Sequence, residues 1–77
     1  MNKARRKWLT DISDKLNDLA IELTSVAMEE QECYDNIPDS LNDTDKANEM
    51  YENIDEINDI SYEVNNLVER LNELIAK

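Results

Sequence analysis

Apolar residues in the first half of the chain recur at alternating steps of three and four positions. They occupy the a and d positions of a seven-residue repeat, abcdefg, with Leu9 at position a: Leu9, Ile12, Leu16, Leu19, Leu23, Val26, Cys33 and Ile37. This pattern is typical of an α-helix that packs one apolar stripe against a neighbouring helix. The repeat continues through Glu30, a carboxylate at an a position. It predicts a first helix at about residues 3–36, with the Cys33 thiol in the core.

The second half of the chain repeats this pattern with a wider apolar stripe. Its a and d positions are Ala47, Met50, Ile54, Ile57, Ser61, Val64, Val68, Leu71 and Ile75. Three further apolar residues, Ile60, Leu67 and Leu74, each stand one position before an a residue. A stripe three positions wide can contact two neighbours rather than one. The pattern predicts a second helix at about residues 44–76.

Turn-forming and capping residues separate the two periodic segments around Pro38, the only proline. Proline disfavours the helical conformation in the residue before it, so the first helix should end near this point. Thr44 or Asp43 can cap the next helix, and Asp45 is favourably placed at the positive end of its dipole. The predicted turn covers about residues 37–43.

Composition supports an all-α fold. The chain contains no glycine and no phenylalanine, although tight hairpins require glycine and strands are enriched in aromatic residues. The two predicted helices have similar lengths, each close to 50 Å at 1.5 Å per residue. Helices of equal length with a short connection predict a single domain, residues 1–77, that forms an antiparallel, coiled-coil-like two-helix hairpin.

Apolar residues outside the main stripes raise the question of a partner helix. Ile21 and Met28 fall at f positions of the first helix, opposite its predicted stripe. One interpretation is that they are tolerated surface residues, which are common. The other is a second apolar face that, together with Ile60, Leu67 and Leu74, forms an oligomer interface. The second interpretation predicts a homodimer that forms a four-helix bundle.

The distribution of charged residues points to a second candidate surface. The chain has a formal net charge of −11, and between Leu16 and Glu69 sixteen Asp or Glu residues accompany one basic residue, Lys46. Six carboxylates follow each other at c and f positions of the second helix, and we call them the acidic file: Asp45, Glu49, Glu52, Glu56, Asp59 and Glu63. Glu29 and Glu32 add charge near the turn.

The acidic file has two interpretations. Outer faces of paired helices are normally charged, so the file could serve solubility alone. Solubility, however, predicts mixed signs, because like charges three or four positions apart oppose helix formation by a few tenths of a kcal/mol each. We therefore predict that the file and the two nearby glutamates bind a partner.

The basic residues near the start of the chain also allow two interpretations. Arg5, Arg6 and Lys7 would lie beside Glu69 and Glu73 in an antiparallel hairpin, and this placement favours ion pairs within the chain. The alternative is a contact with nucleic acid or anionic lipid, which the surrounding negative charge disfavours.

Residues for several kinds of chemistry are missing. The chain has no histidine, one cysteine and no glycine, which excludes the usual nucleophile–base pairs, a phosphate-binding loop and an EF-hand calcium loop. We therefore expect no enzymatic activity, no cofactor and no metal site. The sequence also has no secretory signal and no apolar run near the roughly 20 residues of a membrane span, so we expect a cytoplasmic protein.

The segment around the turn carries a family resemblance. Residues 29–41 read EEQECYDNIPDSL, and Met50 and the run NIDEI at residues 53–57 follow. This combination resembles small acidic helical-hairpin proteins of Gram-positive bacteria, their phages and mobile elements, which have a DN-P-(E/D)-S-L turn. Residues 43–47 read DTDKA, where that type usually shows a Ser-Glu-Arg-Gly-like stretch. The resemblance implies a small accessory or anti-defence protein, for example a CRISPR inhibitor.

Two functional hypotheses follow. The first is a non-enzymatic, phage-type inhibitor whose acidic, DNA-mimicking helix face occupies the basic nucleic-acid-binding surface of a host protein. It would bind that protein and neither nucleic acid nor membrane directly. The alternative is a small coiled-coil oligomerisation or adaptor module whose acidic surface provides solubility only.

Overall fold

The computed structural model describes residues 1–41 and 44–77. Helix α1 spans Lys3–Asp35 and helix α2 spans Asp45–Ala76, with a short 3-10 helix at Asp39–Leu41 in the connection. The two helices pack against each other and form a rod of 60 × 14 × 12 Å. The predicted all-α, two-helix hairpin is therefore confirmed.

Side-chain caps define where the helices begin. The Asn2 side chain accepts a hydrogen bond from the Arg5 backbone N–H at 2.8 Å, which makes Asn2 the N-cap of α1. Of the two residues predicted to cap α2, Thr44 does so, because its hydroxyl accepts from the Ala47 N–H at 3.3 Å. The other, Asp43, and the last part of the predicted turn lie outside the described residues.

Helix α2 packs with the predicted face. Its nine predicted a and d residues are all buried or half-buried: Ala47, Met50, Ile54, Ile57, Ser61, Val64, Val68, Leu71 and Ile75. Ala47 is fully buried and Ile54 is 7% exposed. The wider stripe has the expected consequence, since Ile60, Leu67 and Leu74 remain exposed beside the packed face.

For α1, one of the two predicted columns of the packing face, the d column, is wrong. The a residues Leu9, Leu16 and Leu23 are half-buried as predicted, and so is Glu30. The predicted d residues are exposed instead, including the thiol that was expected in the core: Ile12, Leu19, Val26 and Cys33. Their places in the core are taken by small residues that also recur every seven positions: Ser13, Ala20 and Ala27, each 2–3% exposed.

Hydrogen bonds between the two helices accompany this rotation of α1. The Ser61 hydroxyl of α2 donates to the Ala20 carbonyl oxygen at 3.2 Å and lies 3.2 Å from the Thr24 hydroxyl. Nearer the end of α2, the Ser13 hydroxyl donates to the Asn72 side chain at 3.0 Å. Alanine and serine allow two helix backbones to approach closely, so a backbone carbonyl comes within reach of a side chain on the other helix.

These contacts place the residues of α1 level with those of α2. Ser13 is level with Asn72, and Thr24 is level with Ser61. Near the connection, the rings of Tyr34 and Tyr51 lie 6.0 Å apart between centroids. For each of these three pairs, the residue number in α1 and the residue number in α2 add to the same value. This is the relation that an antiparallel hairpin requires.

The predicted ion pairs of the basic segment are not formed. Within residues 1–41 and 44–77, no ion pair joins Arg5, Arg6 or Lys7 to Glu69 or Glu73. Arg6 instead continues the packed face of α1 towards the start of the helix. It is half-buried there, and its Nε atom has no hydrogen-bond partner.

Candidate functional site

The acidic file is an ordered row on a continuous helix. All six of its residues lie within α2 and are exposed, at successive steps of four, three, four, three and four positions. From Asp45 to Glu63 the row extends about 27 Å, with one carboxylate per roughly 5 Å of helix axis. It lies on the outer side of α2 because its c and f positions face away from the buried a and d positions.

Glu29 and Glu32 extend the negative surface onto α1. Both side chains are exposed. The contacts of Thr24 with Ser61 and of Tyr34 with Tyr51 put this part of α1 beside residues 51–61, within the span of the acidic file. The eight predicted partner-binding carboxylates therefore share one half of the rod.

Charge is distributed very unequally along the rod. The half with the start of α1 and the end of α2, residues 1–19 and 65–77, has seven Lys or Arg and five Asp or Glu, a formal charge of +2. The half with the connection, residues 20–64, has one Lys and fourteen Asp or Glu, a formal charge of −13. We call these the basic half and the acidic half.

A second surface is apolar. Leu16 lines one groove with Leu67 and Leu74, and a second groove with Leu19 and Val26. Ile12 and Ile60 stand seven positions before Leu19 and Leu67 and so share their side. We call this side of the hairpin the apolar side, and six exposed apolar residues form it: Ile12, Leu19, Val26, Ile60, Leu67 and Leu74. Each of the six is between 37% and 52% exposed.

The predicted oligomer interface is split between two sides. Ile60, Leu67 and Leu74 belong to the apolar side. Met28 instead lines a different groove, with Thr24, Gln31 and Asn58 among the other lining residues. Ile21 precedes Met28 by seven positions and so shares its side of α1. These two residues therefore lie on a separate, largely polar side of the hairpin.

Sequence reasoning missed Ile12, Leu19 and Val26 as surface residues. They were assigned to the core because large apolar residues at a heptad spacing normally form it. A signal was nevertheless present, since Ser13, Ala20 and Ala27 follow each of them by one position and repeat with the same spacing. A repeated column of small residues permits two helix backbones to approach each other closely, and here it is the column that is buried.

Other kinds of site are not formed in the described part of the chain. Residues 1–41 and 44–77 contain no group of three or more His, Cys, Asp or Glu side chains placed to hold a metal ion. Across the same residues, neither helix is long and apolar enough to cross a membrane. The candidate surfaces are thus the acidic file and the apolar side.

Comparisons with known proteins found no match: no family model matches the chain, and no curated protein or solved structure is significantly similar to it. The resemblance to small acidic hairpin proteins of mobile elements therefore stays a prediction. The function has to be argued from the surfaces of the molecule itself.

Proposed function

We propose that this protein is a non-enzymatic inhibitor that binds the basic, nucleic-acid-binding surface of a host protein through the acidic file. The observation that carries the proposal is the regular row of six exposed carboxylates along one face of α2. A rigid helix presents these charges at fixed intervals, so a partner with a matching row of Lys or Arg can bind them without ordering the protein first.

The charge density of the file supports mimicry of a nucleic acid. It provides one charge per roughly 5 Å of helix axis, whereas each strand of duplex DNA carries one per 3.4 Å. Asp55, at the adjacent b position, adds a further exposed carboxylate beside the file. A channel that binds a phosphate backbone is lined by basic groups, and such a channel attracts a compact anion at long range.

A charge-reversal experiment tests this proposal. The variant Glu52→Lys, Glu56→Lys, Asp59→Lys changes the file at its centre. The matched control is Asp11→Lys, Asp14→Lys, Asp18→Lys, an equal change of charge on exposed residues of α1 in the basic half. Both variants are compared with the wild type in affinity capture from host lysate, followed by mass spectrometry and competition with duplex DNA.

We expect the wild type and the control to capture the same nucleic-acid-binding protein, and the file variant to lose it. Duplex DNA should displace the captured protein. Binding should weaken about tenfold or more between about 0.1 and 0.5 M salt, because exposed charges are screened over a shorter distance at the higher concentration. Equal binding at both salt concentrations, or equal binding by the file variant, would contradict the proposal.

The apolar side favours a second candidate, a coiled-coil oligomerisation or adaptor module in which charge only prevents aggregation. The same two variants separate the candidates. A module that binds through its apolar side keeps its partner after charge reversal in the file, whereas a mimic loses it.

A further inference from the structure

The centre of the apolar side carries no carboxylate in a strongly acidic chain, although Glu22 and Glu73 line the edges of its two grooves. Each helix has one column of positions, seven residues apart, at the centre of this side. In α1 the column contains Arg5, Ile12, Leu19, Val26 and Cys33, and in α2 it contains Lys46, Asn53, Ile60, Leu67 and Leu74. Not one of the nineteen Asp and Glu residues falls in either column.

The other side of the packed helices differs in chemistry. The equivalent columns there contain Thr10, Asn17, Thr24 and Gln31 in α1, and Tyr51, Asn58, Asn65 and Asn72 in α2. These side chains are neutral but polar, and all eight are exposed. The hairpin thus has one side suited to water and one side suited to burial.

We propose that the apolar side binds the apolar side of a second copy of this chain, so that two hairpins form a four-helix bundle. The rod is 60 Å long and 14 Å wide, so two copies that overlap along one full broad side face each other over about 800 Å² in projection, and the six apolar residues occupy roughly the central 20 Å of that length. Stable protein interfaces bury roughly 800 Å² on each partner. A second copy provides the same two exposed apolar columns, one on each helix, so that the apolar centres of the two hairpins bury each other.

Charge decides how the two copies are oriented. In one arrangement the connections lie at the same end, and the −13 acidic half of one copy faces that of the other. In the reversed arrangement, the acidic half of each copy faces the +2 basic half of its partner. The reversed arrangement brings opposite charges together and separates the two acidic halves, so the twofold axis runs perpendicular to the rod. This inference is independent of any partner of the acidic file.

Light scattering and sedimentation equilibrium test the dimer. We expect the wild type at micromolar concentrations to have twice the chain mass. The variant Leu19→Lys, Leu67→Lys should be monomeric, because it places two positive charges at the apolar centre of the interface. The matched control, Ile21→Lys, Met28→Lys, introduces equal charge at exposed apolar residues on the polar side and should remain dimeric. A monomeric wild type, or a control that dissociates while the apolar-side variant stays dimeric, would overturn the proposal.

A second measurement needs no variant. The melting temperature of a dimer rises with protein concentration, whereas that of a monomer does not. We expect the wild-type transition, followed by circular dichroism over a hundredfold range of concentration, to move upward as concentration rises. A transition that is independent of concentration overturns the dimer even if the lysine variants fail to fold.

The orientation has its own test, a distance between two labels. Spin labels are attached at Glu32→Cys in a Cys33→Ser background, since Glu32 is exposed on the outer face of α1. In the reversed arrangement the two labels lie on opposite sides of the bundle centre, about 40 Å apart at 1.5 Å rise per residue. With both connections at one end, the separation falls to about 25 Å, given roughly 10 Å between neighbouring helix axes. The shorter distance would refute the reversed orientation.

Discussion

Replacement of Ala20 by leucine tests which face of α1 packs against α2. Ala20 is 2% exposed, and its carbonyl oxygen accepts a hydrogen bond from the Ser61 hydroxyl at 3.2 Å. An isobutyl group in place of a methyl group must push the helices apart or leave its preferred rotamer. We expect the free energy of unfolding to fall by about 2 kcal/mol, within the 1–3 kcal/mol that is typical of overpacking. Alanine and leucine differ little in helix propensity, so packing dominates the effect.

Thermal and urea denaturation followed by far-UV circular dichroism measure this change. For a domain of this size, about 2 kcal/mol corresponds to a fall of roughly 10 °C in melting temperature. The control is Ser25→Leu, which adds a leucine on the exposed outer face of the same helix and should change stability by less than about 0.5 kcal/mol. All samples are compared at one protein concentration. If Ala20→Leu proves as stable as Ser25→Leu, Ala20 does not face α2 and the corrected packing face of α1 is wrong.

Three further experiments examine individual contacts, each through the free energy of unfolding measured by urea denaturation. Ser61→Ala should destabilise by about 1 kcal/mol more than Ser25→Ala, because both gain the same helix propensity but only Ser61 bonds to the other helix. An equal loss in both would contradict that bond. Thr44→Ala should lose about 1 kcal/mol through the missing cap of α2, and an unchanged stability would argue against it. A double-mutant cycle of Tyr34→Leu and Tyr51→Leu should give a coupling of about 0.5–1.5 kcal/mol, whereas strict additivity would show that the rings do not interact.

The elements of this fold could be predicted well from sequence. A repeat of three and four residues specifies a helix, and a cluster of turn residues around Pro38 specifies its interruption. The packed face of α2 also followed, because small and large residues share the same a and d columns there. The acidic file was predictable for the same reason, since its positions are those left outside once the packed face of α2 is known.

The packed face of α1 could not be read from the same pattern. Its apolar and small residues fill three adjacent columns, represented by Leu19, Leu16 and Ala20. Any two adjacent columns of the three satisfy the heptad rule. Choosing the pair with the larger side chains gave the wrong rotation, and this hid the apolar side of the hairpin.

The sequence by itself determined two helices, their boundaries, and a rod with most of its negative charge in one half. All of these depend on the order of residues along one helix or on their simple count. Only the tertiary structure decided the rotation of α1, and with it which apolar residues are exposed and on which side. That rotation depends on the fit between two helices, where the Ser61 hydroxyl meets the Ala20 carbonyl oxygen. The periodicity of α1 alone is compatible with two packing faces, and this contact between the helices selects one of them.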